Sequence, residues 1–109
     1  MIVDWYVKSN PWGRPITEKV LSKIVETATP LMNYFCKRLT DAIDDELEIS
    51  KIETLFAEIV QEMPVMNYRI SKEDGVDQFI IMYNSRTEIR LTDSTKQIYR
   101  EIKLTKILS

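Results

Sequence analysis

The apolar residues of this chain change their period at Pro64, and no other feature constrains the fold as strongly. From Ile16 to Met63 they recur every three or four residues, and from Met66 the pattern turns to that of strands. The first spacing dries one face of a helix; the second dries one face of a strand. One chain of 109 residues fits a single domain. The expectation is therefore an α+β domain spanning 1–109, with a helical half at 1–64 and a strand half at 65–109.

Within the helical half, a short β-branched and aromatic segment, Ile2 to Val7, reads as a strand with Val3, Trp5 and Val7 on its drier side. Two prolines and a glycine in Ser9-Asn10-Pro11-Trp12-Gly13-Arg14-Pro15 then deny it regular pairing. Ile16, Val20, Leu21, Ile24, Val25 and Ala28 follow at helical spacing, with Thr17 placed as an N-cap. Thr29-Pro30 is expected to end this helix and start a second, which carries Leu31, Met32, Tyr34, Phe35, Leu39, Ala42 and Ile43. Ser50-Lys51-Ile52-Glu53 has the form of a capping box for a third helix, with Ile52, Leu55, Phe56, Ile59, Val60 and Met63 on one face.

The strand half begins with Met66, Tyr68 and Ile70 alternating against Asn67, Arg69 and Ser71. Lys72-Glu73-Asp74-Gly75 is a turn, with Gly75 free to take positive φ. Val76 to Tyr83 is apolar at both phases, as in a strand covered on both sides. Glu88-Ile89-Arg90-Leu91-Thr92 is echoed by Glu101-Ile102-Lys103-Leu104-Thr105, and both read as alternating strands. Ser94 with Gln97 offers the competing possibility that a helix starts here. The expected architecture is a two-layer α+β domain, in which an N-terminal strand and three helices precede an antiparallel meander of about four strands.

Composition narrows function by what it lacks. The chain has no histidine, one cysteine and two glycines. Histidine is the usual proton shuttle near neutral pH and the commonest metal ligand. Neither glycine, Gly13 nor Gly75, sits in a phosphate-binding loop pattern. Cys36 lies in an apolar helical stretch without a histidine to activate it, so it reads as a small buried residue. No catalytic residue, cofactor or metal site is expected. Asp41, Asp44 and Asp45 could share one helix face, yet the spacing is not that of a calcium loop and a solvated run explains it. The N-terminus lacks the basic start of a signal peptide, and one cysteine leaves no intrachain disulfide, so a cytoplasmic protein without membrane association is expected.

What remains points to contact. Trp12 and Arg14 are interface-favoured residues on a proline-stiffened loop, although Trp12 folded back onto the helix–sheet edge would also explain the loop. If the helices cover one face of the sheet, the second apolar face of Val76–Tyr83 needs a cover, and a second copy of the chain would supply it. The expected function is a small non-catalytic protein acting through protein–protein contact, as a regulator or inhibitor, with a homodimer formed through outward residues among Phe79, Ile81 and Tyr83. The alternative is a nucleic-acid-binding module that uses Arg69, Arg86, Arg90, Tyr99 and Lys103 on the outer sheet face. The net charge is −4 over 1–64 and +2 over 65–109, giving −2 overall. An acidic balance provides no long-range attraction to a phosphate backbone.

Overall fold

A computed structural model describes residues 3–108; Ile2, the first residue of the expected N-terminal strand, lies outside them. In chain order the elements are β1 (Trp5–Ser9), α1 (Glu18–Ala42), a 3-10 turn (Ile49–Lys51), α2 (Ile52–Gln61), β2 (Asn67–Glu73), β3 (Val76–Met82), β4 (Thr87–Leu91) and α3 (Thr95–Leu108). The four strands form one antiparallel sheet in the order β1-β4-β3-β2. The N-terminal strand thus closes the sheet beside the last strand of the meander. The helices supply the second layer, as the α+β reading requires. None of the described helices is long and apolar enough to cross a membrane.

The core lies between the inner sheet face and the helices. Phe35 of α1, Phe56 of α2 and Phe79 of β3 meet at its centre, with ring centroids 5.1–6.3 Å apart. Tyr68 of β2 stacks on Phe79 from the sheet's edge, at 5.3 Å. Ile89 and Leu91 of β4 and Ile98 and Ile102 of α3 complete the same cluster. Alternation along the strands puts these β residues on one side, while helical spacing aligns Ala28, Met32, Phe35 and Leu39 toward them.

Three local expectations are corrected. The two helices expected on either side of Pro30 are one helix of 25 residues. Pro30 is exposed, while the buried stripe Ala28–Met32–Phe35 runs past it unbroken. Proline removes one N–H and crowds one carbonyl, and continuous packing on the opposite side outweighs that loss. The Ser50–Glu53 capping box does not form. Residues 49–51 make a 3-10 turn, and α2 starts without a side-chain cap. The expected last strand is the helix α3. Ser94 Oγ accepts from the Gln97 backbone N–H at 3.2 Å, and Ile98 and Ile102 share its buried face. Thr17 does cap α1, accepting from the Val20 N–H at 3.4 Å.

The β2–β3 hairpin follows its turn chemistry. Asp74 and Gly75 both take positive φ, 55° and 73°, between the paired residues Glu73 and Val76. Two central residues with positive φ match the twist of the flanking strands, and Asp-Gly is a favoured pair for it.

Candidate binding surface

The helices leave the other face of the sheet uncovered. Cross-strand register sets out two rows on it. One row is Tyr6, Arg90, Ile80 and Arg69; the next is Lys8, Glu88, Met82 and Asn67. Each row takes one residue from every strand, so each contains residues from both ends of the chain.

At the centre of these rows lies a fully buried carboxylate. The Glu88 side chain is 0% exposed and sits between two guanidinium groups. Arg69 donates to its Oε2 through Nη2 at 2.8 Å and Nε at 3.3 Å. Arg90 donates to its Oε1 from Nε at 3.2 Å, with Nη2 at 3.1 Å. Arg90 also reaches the Gln78 side chain, at 3.4 Å. Two cations against one anion leave a local surplus of one positive charge. Beneath them Ile80 is 0% exposed although it lies outside the helix-side core. It stands in register between Arg90 and Arg69, whose aliphatic stems can cover a neighbour while their charged heads meet Glu88.

Over this network stands the loop that follows β1. Asn10 organises the loop and is itself buried. Its side-chain oxygen accepts from the Trp12 N–H at 2.9 Å, and its backbone oxygen accepts from the Gly13 N–H at 3.1 Å. Its own N–H donates to the Arg86 carbonyl at 2.8 Å, and its side-chain amide donates to the Ser85 carbonyl at 3.3 Å. The far end of the loop is held by Ser9 Oγ, which accepts from the Ile16 N–H at 2.8 Å. The loop and the β3–β4 turn thus form one corner. From it the Trp12 ring reaches over Arg69, 5.1 Å from the guanidinium carbon to the ring centroid. Trp12 remains 74% exposed.

The residues expected to bind a partner divide. Trp12 and Arg14 are exposed on this loop. Phe79 and Ile81 are not outward: both are 0% exposed, on the inner face, and Tyr83 of the same phase packs half-buried against the core. The second apolar phase of β3, Ile80 and Met82, is covered by the outer-face side chains of this chain itself. The reason for expecting a covering second copy therefore falls away.

The residues expected to bind nucleic acid do not form one surface. Arg69 and Arg90 are on the outer face and paired to Glu88. Arg86 is in the β3–β4 turn, exposed. Tyr99 and Lys103 are on α3, in the other layer. There the Tyr99 hydroxyl donates to the Leu47 carbonyl at 2.5 Å, and the Lys103 ammonium lies 5.4 Å from the Tyr99 ring centroid. Their shared phase with the cations rested on the strand that proved to be a helix.

The acidic run serves as a turn. α1 ends at Ala42, so Asp41, Asp44 and Asp45 do not share a helix face, and Asp44 instead accepts from the N–H groups of Glu46 and Leu47 at 2.9 and 3.0 Å. Among the described residues, no group of three or more histidine, cysteine, aspartate or glutamate side chains could hold a metal. Cys36 is half-buried, and burial pushes its thiol above the ordinary value.

Two further clusters lie elsewhere. Tyr34 and Arg38 of α1 both bond to Glu62, Arg38 in bidentate fashion at 2.8 and 2.7 Å. This pairing draws the Glu62 carboxyl down to about 2. At the opposite end of the sheet a concavity of about 260 Å³ is lined by Asp77, Ser94, Lys96 and Arg100 among others. Asp77 hydrogen-bonds Glu53, and that bond, helped by partial burial, raises the Glu53 carboxyl.

The sequence reading singled out Trp12 and Arg14 while leaving the exposure of Trp12 open, and both prove exposed. It missed the organising role of Asn10. The signal was present, since Asn-Pro-x-Gly places Asn, Pro and Gly at their favoured positions in a β-turn. No protein-family model, curated protein or solved structure matches this chain.

Proposed function

We propose that this chain is a non-catalytic, cytoplasmic binding protein that acts through protein–protein contact at the Trp12 corner of its sheet. The observation that carries this reading is Trp12 itself: a large ring, 74% exposed, on a loop tied down by Asn10 and Ser9. Covering the exposed part of such a ring would yield roughly 3–4 kcal/mol of gross hydrophobic stabilisation. The loop is already ordered, so little of that gain is lost to fixing it on binding. Tryptophan and arginine at the centre of a contact are the residues that most often dominate its affinity; Arg69 lies against the ring, and Arg14 is two residues along the same loop. A single, half-buried cysteine supports a reducing compartment.

The test is a comparison of three immobilised baits, wild type, Trp12→Ala and Arg100→Ala, against lysate of the native host, with captured proteins quantified by mass spectrometry. Trp12→Ala is expected to lose at least one protein that the other two retain. Identical captured sets for all three would overturn the proposal.

A further inference from the structure

The charge around the Trp12 corner bears on the chemistry of its partner. Lys8 projects from β1 on the outer face, Arg14 follows Trp12 in the loop, and Arg86 lies in the turn to which Asn10 is bonded. All three are exposed, and among the described residues none of them enters an ion pair. The anion in the two central rows, Glu88, is wholly buried and already bound by two arginines. The corner of a net-acidic protein therefore presents unpaired cations around one exposed aromatic ring.

We infer that this corner docks an acidic polypeptide segment of a partner protein, one that also carries an apolar or aromatic side chain to seat on Trp12. The inference rests on the proposed protein–protein reading and names the chemistry of the contact. Charge complementarity favours an anionic partner, and the confinement of the free cations to one corner favours a peptide over a nucleic acid. A strand of nucleic acid needs a track of phosphate contacts and successive stacking rings. Here three free cations crowd one corner, the remaining outer-face arginines are held by Glu88, and Tyr99 and Lys103 lie in the other layer. An acidic segment needs only a short cluster of opposite charge beside one apolar seat.

The probe is a fluorescein-labelled peptide of repeated Glu-Tyr-Glu, titrated with the intact protein at low salt and followed by anisotropy. Binding is expected that weakens as salt is raised, because exposed charges are screened within roughly a Debye length of 10 Å at 0.1 M. The double variant Arg14→Glu, Arg86→Glu should weaken it by about tenfold or more. Lys96→Glu, at the opposite end of the sheet, should leave it unchanged. No binding at low salt, or equal binding by the double variant, overturns the inference. So does displacement of the peptide by an unlabelled thymidine oligonucleotide at lower charge concentration, which would assign the corner to nucleic acid. If Trp12→Ala loses a captured protein while the peptide fails to bind, the acidic chemistry is wrong and the contact surface stands. If both fail, the corner is not the contact surface.

Discussion

Replacing Glu88 by glutamine tests the physical account of the outer sheet face. The carboxylate is 0% exposed, and its two partners differ: the Arg69 side chain is 29% exposed and that of Arg90 13%. Glutamine keeps the shape and removes the charge. Its amide oxygen can accept from one guanidinium, which turns the amide N–H group toward the other, donor against donor. Breaking a buried ion pair from one side costs about 3–5 kcal/mol, because the partner charge stays buried and uncompensated. Both arginines retain some water, so the lower end applies, and Glu88→Gln should cost about 3 kcal/mol. Arg69→Met leaves Glu88 paired with Arg90 and should cost less, about 1–2 kcal/mol. The triple variant Arg69→Met, Glu88→Leu, Arg90→Met removes all three charges over Ile80 and should lie within about 1 kcal/mol of wild type. Urea unfolding followed by circular dichroism gives each value, provided the slopes agree. A domain of this size has about 5–15 kcal/mol to lose, so the single variants should remain folded at low denaturant. A cost below about 1 kcal/mol for Glu88→Gln, or a triple variant no more stable than Glu88→Gln, would refute the reasoning.

Other perturbations have expected outcomes. Pro30→Ala restores an N–H within α1 at an exposed position and should raise stability by about 1–3 kcal/mol in the same urea assay. Asn10→Ala removes the bonds to Trp12 and Ser85 and should cost about 1–2 kcal/mol, with faster cleavage after Trp12 in limited chymotrypsin digestion. The Glu62 carboxyl is lowered from 4.5 to about 2, so its contribution is present above the ordinary carboxylate range and is lost as pH falls from 4.5 toward 2. Glu62→Gln should flatten the pH dependence of unfolding in that window, and raised salt should weaken the effect, since the cluster is exposed. Cys36 should react with iodoacetamide at pH 7 more slowly than free cysteine, because burial disfavours the thiolate.

The echo between Glu88–Thr92 and Glu101–Thr105 shows where residue patterns decide a fold and where they do not. In β4, alternation puts Ile89 and Leu91 on the same inner face, and both are 0% exposed. In α3, residues two apart point in nearly opposite directions, so Ile102 is buried while Leu104 is 56% exposed. A five-residue pattern supports either outcome. The capping hydroxyl of Ser94 and the partner Ile98, four residues before Ile102, decide for helix. Pro30 shows the same hierarchy: a local stop signal loses to a buried stripe that continues on both sides of it. Where the signal was long and periodic, as in α2, or stereochemically specific, as at Asp74-Gly75, residue pattern and fold agree.

The binding corner depends on a different kind of information. Its rows join Tyr6 and Lys8 to Glu88 and Arg90 only because β1 pairs with β4, more than 70 residues away in the chain. That pairing also brings Asn10 against the Arg86 carbonyl, which holds Trp12 over the sheet. With β1 at the other edge, beside β2, the same residues would leave Trp12 far from this turn and Glu88 with a different set of neighbours. Local pattern therefore singled out the ring without fixing its exposure, while strand order supplied its surroundings. In the apolar phase of β3 that suggested a second copy, Ile80 is buried in register between two arginines drawn together by one carboxylate. Those two arginines are thereby held by Glu88. Lys8, Arg14 and Arg86, which enter no ion pair among the described residues, lie where the loop and turn meet, beside the exposed Trp12.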